Sequence, residues 1–472
     1  MAQAGRKQPQ PADFPTASAR FAGLSDAVQA ERQGSLELGH PQVVDLLHGG
    51  HGRYVALCQR TDSGWHERML KQDLAAFAGA ALSGLPDAYL SQNGFIGRNR
   101  RITSVRALTS CWLDVDYYNV PTLANLDPDT VLARIQTEHP WLPKPTAAFN
   151  SGRGIYLDWI FPTPLTRDQL PAWQAVQDAI TGAFAEYGAD WAARDASRVL
   201  RIVGTVNSKS DRIVQPIAIG PAIEFERFRC AVMDGIAEAR RNAKSPDPTD
   251  STNPTENTRR QASEAQRAQS IKPYDLAMAR MNDYRTLAQL RGTPRLTDCR
   301  HRMLYAYAIS CAWFASDPRA FIAEVEGFAR DHFANPRKYI ASRVGTILER
   351  FEHRHMPRIW NGKQVANRYR IRNDTIIRML DITPSEMEHM QTLINHDERQ
   401  RRREERRRAA GMQDRGDYLA DAEQRRRVVM QLRQEGRKPR EIADLTDLTK
   451  RRVNQIIREA QADMFADEPG AA

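Results

Sequence analysis

Two acids stand two residues apart in Trp112-Leu113-Asp114-Val115-Asp116-Tyr117-Tyr118, at the end of a run rich in apolar and β-branched residues. Alternate side chains of a strand share a face, so Asp114 and Asp116 are expected on one side with their backbones about 6.6 Å apart. Carboxylates so placed can reach one divalent cation or a close pair. Hard cations such as magnesium and manganese take oxygen ligands and keep room for phosphate and water. Spacing alone does not single this pair out, because Asp127 and Asp129 share it. Those two bracket Pro128, where a helix is predicted to begin, and are expected to complement its dipole.

Two further runs carry groups suited to phosphate. Asn150-Ser151-Gly152-Arg153-Gly154-Ile155-Tyr156-Leu157 reads as strand, tight glycine turn and strand. The glycines let backbone approach a ligand, while Ser151 and Arg153 add a hydroxyl and a guanidinium. The stretch 190–209 then supplies a third acid, Asp190 or Asp195. It continues with Arg198 and Arg201 around an apolar pair and, after a Gly-Thr turn, with Asn207 and Lys209. A salt-bridged surface strand is the plain alternative, but this many phosphate-type donors after an acid suit a nucleotide site better.

These groups need a sheet to hold them. Short β-branched and aromatic runs at 53–57, 104–116, 146–150, 155–161 and 199–203 alternate with amphipathic helical stretches at 128–138 and 167–187. That mixture predicts an α+β domain over residues 21–235, after a Gln-, Pro- and Ala-rich tail at 1–20. Residues 236–272 are poor in large apolar side chains and read as a flexible linker. An all-α helical domain is expected over 273–396, with Leu304, Tyr305, Tyr307, Ile309, Trp313 and Phe314 on a core helix. Residues 397–420 read as a charged helix and linker, and 463–472 as a tail.

Between them, residues 421–462 have the spacing of three short helices: Gly436 ends the first, Pro439 opens the second and Thr449 caps the third. The pattern resembles a helix-turn-helix of the sigma-factor and recombinase type. Lys450, Arg451, Arg452, Asn454 and Gln455 would open its recognition helix, where phosphates and base edges of duplex DNA are met.

Bulk properties agree with a polyanionic partner. The 472 residues hold 68 Lys and Arg against 58 Asp and Glu, a net charge of +10 concentrated in the C-terminal third. Five scattered cysteines form no closely spaced pair, so neither a zinc site nor a disulfide framework is expected, and a reduced cytoplasmic setting is. No apolar run approaches the ~20 residues of a membrane span, and the polar N-terminus lacks a signal-peptide core.

Taken in order, the three motifs resemble those of the archaeo-eukaryotic primase superfamily, particularly replication primases of plasmids, phages and integrative elements. The resemblance runs over roughly residues 91–216. It implies a catalytic domain with an RNA-recognition-motif-like core and the acids on its sheet. Asp114 and Asp116 would be paired ligands of Mg2+ or Mn2+. Counting back from Arg198 favours Asp190 as the third acid, with Asp195 the alternative. Ser151, Gly152, Arg153 and Tyr156 would form the nucleotide-binding turn, although many relatives carry His where Tyr156 stands, and a phenol brings no positive charge. Arg198, Arg201, Asn207 and Lys209 would hold the incoming nucleotide or template. The implied activity is a primase, or primase-polymerase, that joins nucleoside triphosphates on single-stranded DNA. The sequence lacks a Gly-four-residues-Gly-Lys-Ser/Thr loop, so a replicative helicase would act in trans. The competing expectation is a non-enzymatic origin-binding or regulatory protein acting through the C-terminal module.

Overall fold

The computed structural model describes residues 44–45, 47–48, 54–244, 256–294, 296–334, 336, 344–353, 358–365, 367–410 and 415–466. The expected N-terminal tail, residues 245–255 of the expected linker and residues 467–472 lie outside them. The chain forms two compact units, one up to Leu393 and one from Ile394.

The first unit is built on antiparallel strands. They are β1 (Tyr54–Thr61), β2 (Gly64–Lys71), β3 (Ala88–Ser91), β4 (Gly94–Phe95), β5 (Val105–Val115), β6 (Ala147–Asn150), β7 (Ile155–Thr166), β8 (Val199–Arg201), β9 (Val206–Asn207), β10 (Arg212–Ile213) and β11 (Gln215–Ile219). Nine of them make one sheet in the order β11-β6-β7-β5-β4-β1-β3-β8, with β2 paired on β1, while β9 and β10 form a separate hairpin. Every strand expected from β-branched patterning is present, though the first is described only from Tyr54.

Helices brace this sheet: α1 (Ala75–Ala81), α2 (Pro128–Glu138), α3 (Leu170–Ala183) and α4 (Phe225–Lys244). Asp127 caps α2 by accepting from the Thr130 backbone N, and Asp129 lies in its first turn, the structural role expected of that second acid pair. Trp112 of β5 packs on Trp173 of α3 with ring centroids 5.3 Å apart, and Trp159 of β7 on Phe228 of α4 at 5.0 Å. All four rings are fully buried and anchor the core.

The stretch 236–272 differs from a flexible linker. Its start belongs to α4, and from Glu256 it enters α5 (Glu256–Leu290). The cause is composition: Ala, Gln, Arg and Glu are good helix formers and need no apolar face to form a helix, only to bury one. Further on come α6 (Arg300–Cys311), α7 (Pro318–His332), α8 (Gly345–Glu352), α9 (Asn373–Leu380) and α10 (Pro384–Met387). Leu304, Tyr307 and Ile309 are buried on α6 as expected of a core helix, whereas Trp313 and Phe314, expected on the same helix, follow its end at Cys311.

This region is not all-α. β12 (Arg358–Trp360) and β13 (Lys363–Val365) form a hairpin turning on Asn361 and Gly362, at φ 48° and 73°. Two successive positive φ values are what a type I′ hairpin turn requires, and Asn-Gly is its preferred pair.

The second unit holds α11 (His396–Ala409), α12 (Arg415–Gln434), α13 (Pro439–Thr446) and α14 (Lys450–Ala466). Ion pairs from Glu398 to Arg401 and Arg402 lace α11. Gly436 at φ 83° follows α12, Pro439 opens α13, and Thr449 Oγ1 accepts from Arg452 N at the start of α14. Val429, Ile442, Ala443, Val453, Ile456 and Ile457 form the small core. Val428 and Leu445 are exposed. The last helix runs to Ala466, into the expected tail.

Candidate active site

The site is organised by a strand that runs out of partners. β5 pairs with β7 along one edge, but on the other its β4 pairing ends at Ala107. The backbone groups on that edge beyond this point are buried and must be satisfied in another way. Asn93 Oδ1 accepts from Thr109 N at 2.9 Å. Gln177 of α3 takes both groups of Trp112, accepting from its N at 3.2 Å and donating to its O at 2.6 Å. At the tip, Asp116 N donates to Gly188 O at 2.9 Å and Asp190 N to Asp114 O at 2.7 Å. These two bonds bring residues distant in sequence alongside Asp114 and Asp116. Gly188 is required there: its φ is 85°, and a Cβ would press against the Asp116 carbonyl.

The charge of Asp190 reaches both Asp114 and Asp116. Burial pushes Asp114 well above the usual carboxylate range, and the charges of Asp116 and Asp190 add to the rise against Arg198 and Arg201. Asp116 is raised by burial and by Asp190, opposed by its hydrogen bond from Tyr118 and by Arg153 and Lys209. Groups of like sign held together in this way destabilise their own ionised forms. The donor set, oxygen only and anionic, suits a hard divalent cation. Among the described residues no three His, Cys, Asp or Glu side chains are yet grouped closely enough to hold one.

Asp190 and Asp195 have different surroundings. Asp190 caps a short turn through Ala192 N and lies 3.5 Å from the Arg198 guanidinium, with 30% of its side chain exposed. Asp195 is 1% exposed and fully engaged. Its Oδ1 accepts from Ser197 N at 2.9 Å and from the Ser197 hydroxyl, and its Oδ2 from the Ser316 hydroxyl. Of the two, only Asp190 faces the acid pair.

The glycine turn lies against this cluster. Gly152 has φ 94°, and a Cβ on Gly154 would run into the Val115 carbonyl, so the turn can lie against the end of β5 only without side chains there. Arg153 stacks its guanidinium over the Tyr118 ring at 4.0 Å. Ser151 and Asn207 make hydrogen bonds within the site itself. Ser151 Oγ accepts from Gly154 N, and Asn207 Nδ2 donates to Ser151 O while its Oδ1 accepts from Lys209 N. Both are buried and brace the turn against the loop that carries Lys209.

Tyr156 is the ladder partner of Asp114 and is buried. Its hydroxyl accepts from Arg201 Nη1 at 3.4 Å, and burial, with Asp114 beside it, pushes the phenol far above its usual range. It is therefore a neutral hydrogen-bonding group. Two acids not anticipated from local spacing complete the surroundings. Asp87 lies 3.5 Å from Arg201 and accepts from the Ser208 hydroxyl, while Asp317 lies 3.5 Å from Arg198. In sequence, Asp317-Pro318 carries only the signal of a helix cap, which it also is.

In the second unit, Lys450, Arg451, Arg452 and Gln455 are exposed at the start of α14 and Asn454 is half-buried, away from its apolar core.

No family model matches the chain. A Clostridium perfringens protein named as a replication protein is 26% identical over 312 residues, 65% of this chain and 68% of that protein. Among solved structures, the AEP domain of the cyanophage S-2L primase-polymerase covers 41% of this chain and 96% of its own, at 14% identity and TM-score 0.30. The catalytic domain of primase RepB′ in complex with initiator DNA covers 44% and 99%, at 12% identity and TM-score 0.28. By its motifs the chain resembles the archaeo-eukaryotic primases, and over about two thirds of its length it is similar to a replication protein.

Proposed function

We propose that this protein is a DNA-dependent primase that joins nucleoside triphosphates into short oligonucleotides on single-stranded DNA for replication of a plasmid or other mobile element. The observation that carries the reading is the Asp190 N–H to Asp114 O bond. It brings a third acid to the Asp114 and Asp116 pair, with Arg153, Arg198, Arg201 and Lys209 around them. A chain similar over 312 residues bears the name replication protein, which agrees with it.

Each residue has a task in that chemistry. Asp114, Asp116 and Asp190 would hold magnesium or manganese, which when bound activates a 3′-hydroxyl and offsets charge on departing pyrophosphate. Arg198 and Arg201 are oriented by Asp190, Asp317, Asp87 and Tyr156, so that phosphate meets guanidinium groups already aimed. Lys209 and Arg153 add charge on the Asp116 side. Tyr156 donates its phenolic hydrogen without taking part in proton transfer at neutral pH. The second unit would act as a helix-turn-helix, its Lys450, Arg451, Arg452, Asn454 and Gln455 meeting duplex DNA. Helicase action would come from a separate protein.

Purified protein incubated with single-stranded DNA, labelled nucleotides and magnesium or manganese is expected to yield short labelled products. Replacing Asp114 and Asp116 together by Asn should abolish them and leave DNA binding intact. Undiminished synthesis by the double variant, or none by the unaltered protein, would refute the reading; a purely regulatory DNA-binding protein predicts the second outcome.

A further inference from the structure

The strands that carry Arg201 have two unlike faces. Val55, Leu90 and Ile202 point to one side into an apolar cluster with Val44 and Ala88, and Leu57, the ladder partner of Leu90, packs on it. The next residue of each strand points the other way. There the ladder aligns Glu67, Cys58, Tyr89 and Arg201 across four strands. Trp65, one pleat along from Glu67, packs against Tyr89 with ring centroids 5.1 Å apart and planes tilted by 45°. The Arg201 guanidinium lies over the same Tyr89 ring at 5.0 Å and reaches on to Tyr156.

Trp65 keeps 43% of its surface exposed, on a strand that pairs only with β1 among the described strands. Its ladder partner Arg60 is exposed too. Arg60, Arg198 and Arg201 all lie within electrostatic reach of Tyr89. A tryptophan serving only to cover Tyr89 would account for the ring contact. It would not account for so much exposed indole, set beside cations in a line that ends at Asp190.

From this arrangement we infer that the face bearing Trp65, Tyr89 and Arg60 is a track for single-stranded DNA, on which Trp65 stacks an unpaired base while Arg60 meets the backbone. The inference rests on the primase reading and names the path by which template reaches the acids. Single strands bind such surfaces because their bases present open faces to aromatic rings and their phosphates follow cations. A duplex hides those faces, so the track selects unpaired template.

The test is fluorescence anisotropy of the full-length protein on a short labelled oligothymidylate and on the same backbone with abasic sites. Trp65→Ala should weaken binding to the normal strand about tenfold, the scale of one lost base stack. It should change binding to the abasic strand little, and Trp65→Phe should retain most of the affinity because a ring remains. Equal loss on both strands, loss in both variants alike, or no loss at all would overturn the proposal. These readouts need no catalysis. A Trp65→Ala variant that binds normally sinks the track and leaves the primase reading standing, whereas unaltered protein that makes no product sinks the primase reading alone.

Discussion

Asp190 and Asp195, only five residues apart, differ in how far the fold engages each carboxylate. The Asp195 carboxylate accepts from two hydroxyls and a backbone N–H in a buried setting, so an amide there replaces one acceptor of this charge-assisted set with a donor. Asp195→Asn should therefore cost about 1–3 kcal/mol of stability. Asp190→Asn keeps the cap on Ala192, because an amide oxygen accepts equally well, and it removes one of three mutually repelling charges. Its melting temperature should hold or rise while primer synthesis is lost. Thermal melts and synthesis assays on both variants check this, and matching stability losses would refute the distinction. The sequence left both acids open because each precedes Arg198, and only long-range hydrogen bonds divide their roles. Ser151 and Asn207 have the polarity of ligands and also brace the turn, a role that composition does not reveal.

At the scale of elements, β7 carries Tyr156 and Asp158 on one face, and Asp158 is buried with its Oδ1 unpartnered among the described residues. Burial raises its carboxyl from 3.8 to about 8. The unfolded chain releases this proton near the ordinary carboxylate value, whereas the native state keeps it to about pH 8. Between those limits the native state binds more protons, so this group's contribution favours folding most at the acid end and declines as pH rises. An amide in its place has no proton to release over that range. Asp158→Asn should thus gain on the unaltered protein across that window, by an amount on the order of several kcal/mol at its upper end. Melting both proteins at pH 5 and pH 8 tests it, and a constant difference would mean that Asp158 is ionised in the native state. Runs of β-branched and aromatic residues had made β5 and β7 legible, and capping signals did the same for α2 and α13. The hairpin at Asn361-Gly362 carried an equally good signal, hidden inside a stretch that is otherwise helical. The helix from Glu256 lacked the apolar stripe by which helices are usually recognised.

Over the whole molecule, the helical region is part of the same compact unit as the sheet, and it reaches the candidate site at named atoms. Asp178 of α3 pairs with Arg194 and Arg368 and accepts from Tyr274. Burial alone would raise its carboxyl, but those cations and the phenol prevail and hold it below the usual range. This network ties Arg194, in the loop after Asp190, through Asp178 to Tyr274 and Arg368 of the helical region. Ser316 and Asp317 then touch Asp195 and Arg198 directly. Arg198 is thus shared between Asp190 and Asp317, each at 3.5 Å. Asp317 uses its Oδ1 to cap α7, a role Asn can fill, while its Oδ2 faces the guanidinium. Asp317→Asn should leave melting nearly unchanged and let Arg198 settle more fully on Asp190. An arginine paired there competes with a divalent cation for the same oxygens. The half-saturating magnesium concentration for primer synthesis should rise about two- to fivefold, the range of a partly exposed ion pair. Metal titrations of both proteins decide it: an unchanged requirement would confine Asp317 to capping its helix, whereas the shift would make the helical region a determinant of how tightly the site takes its metal.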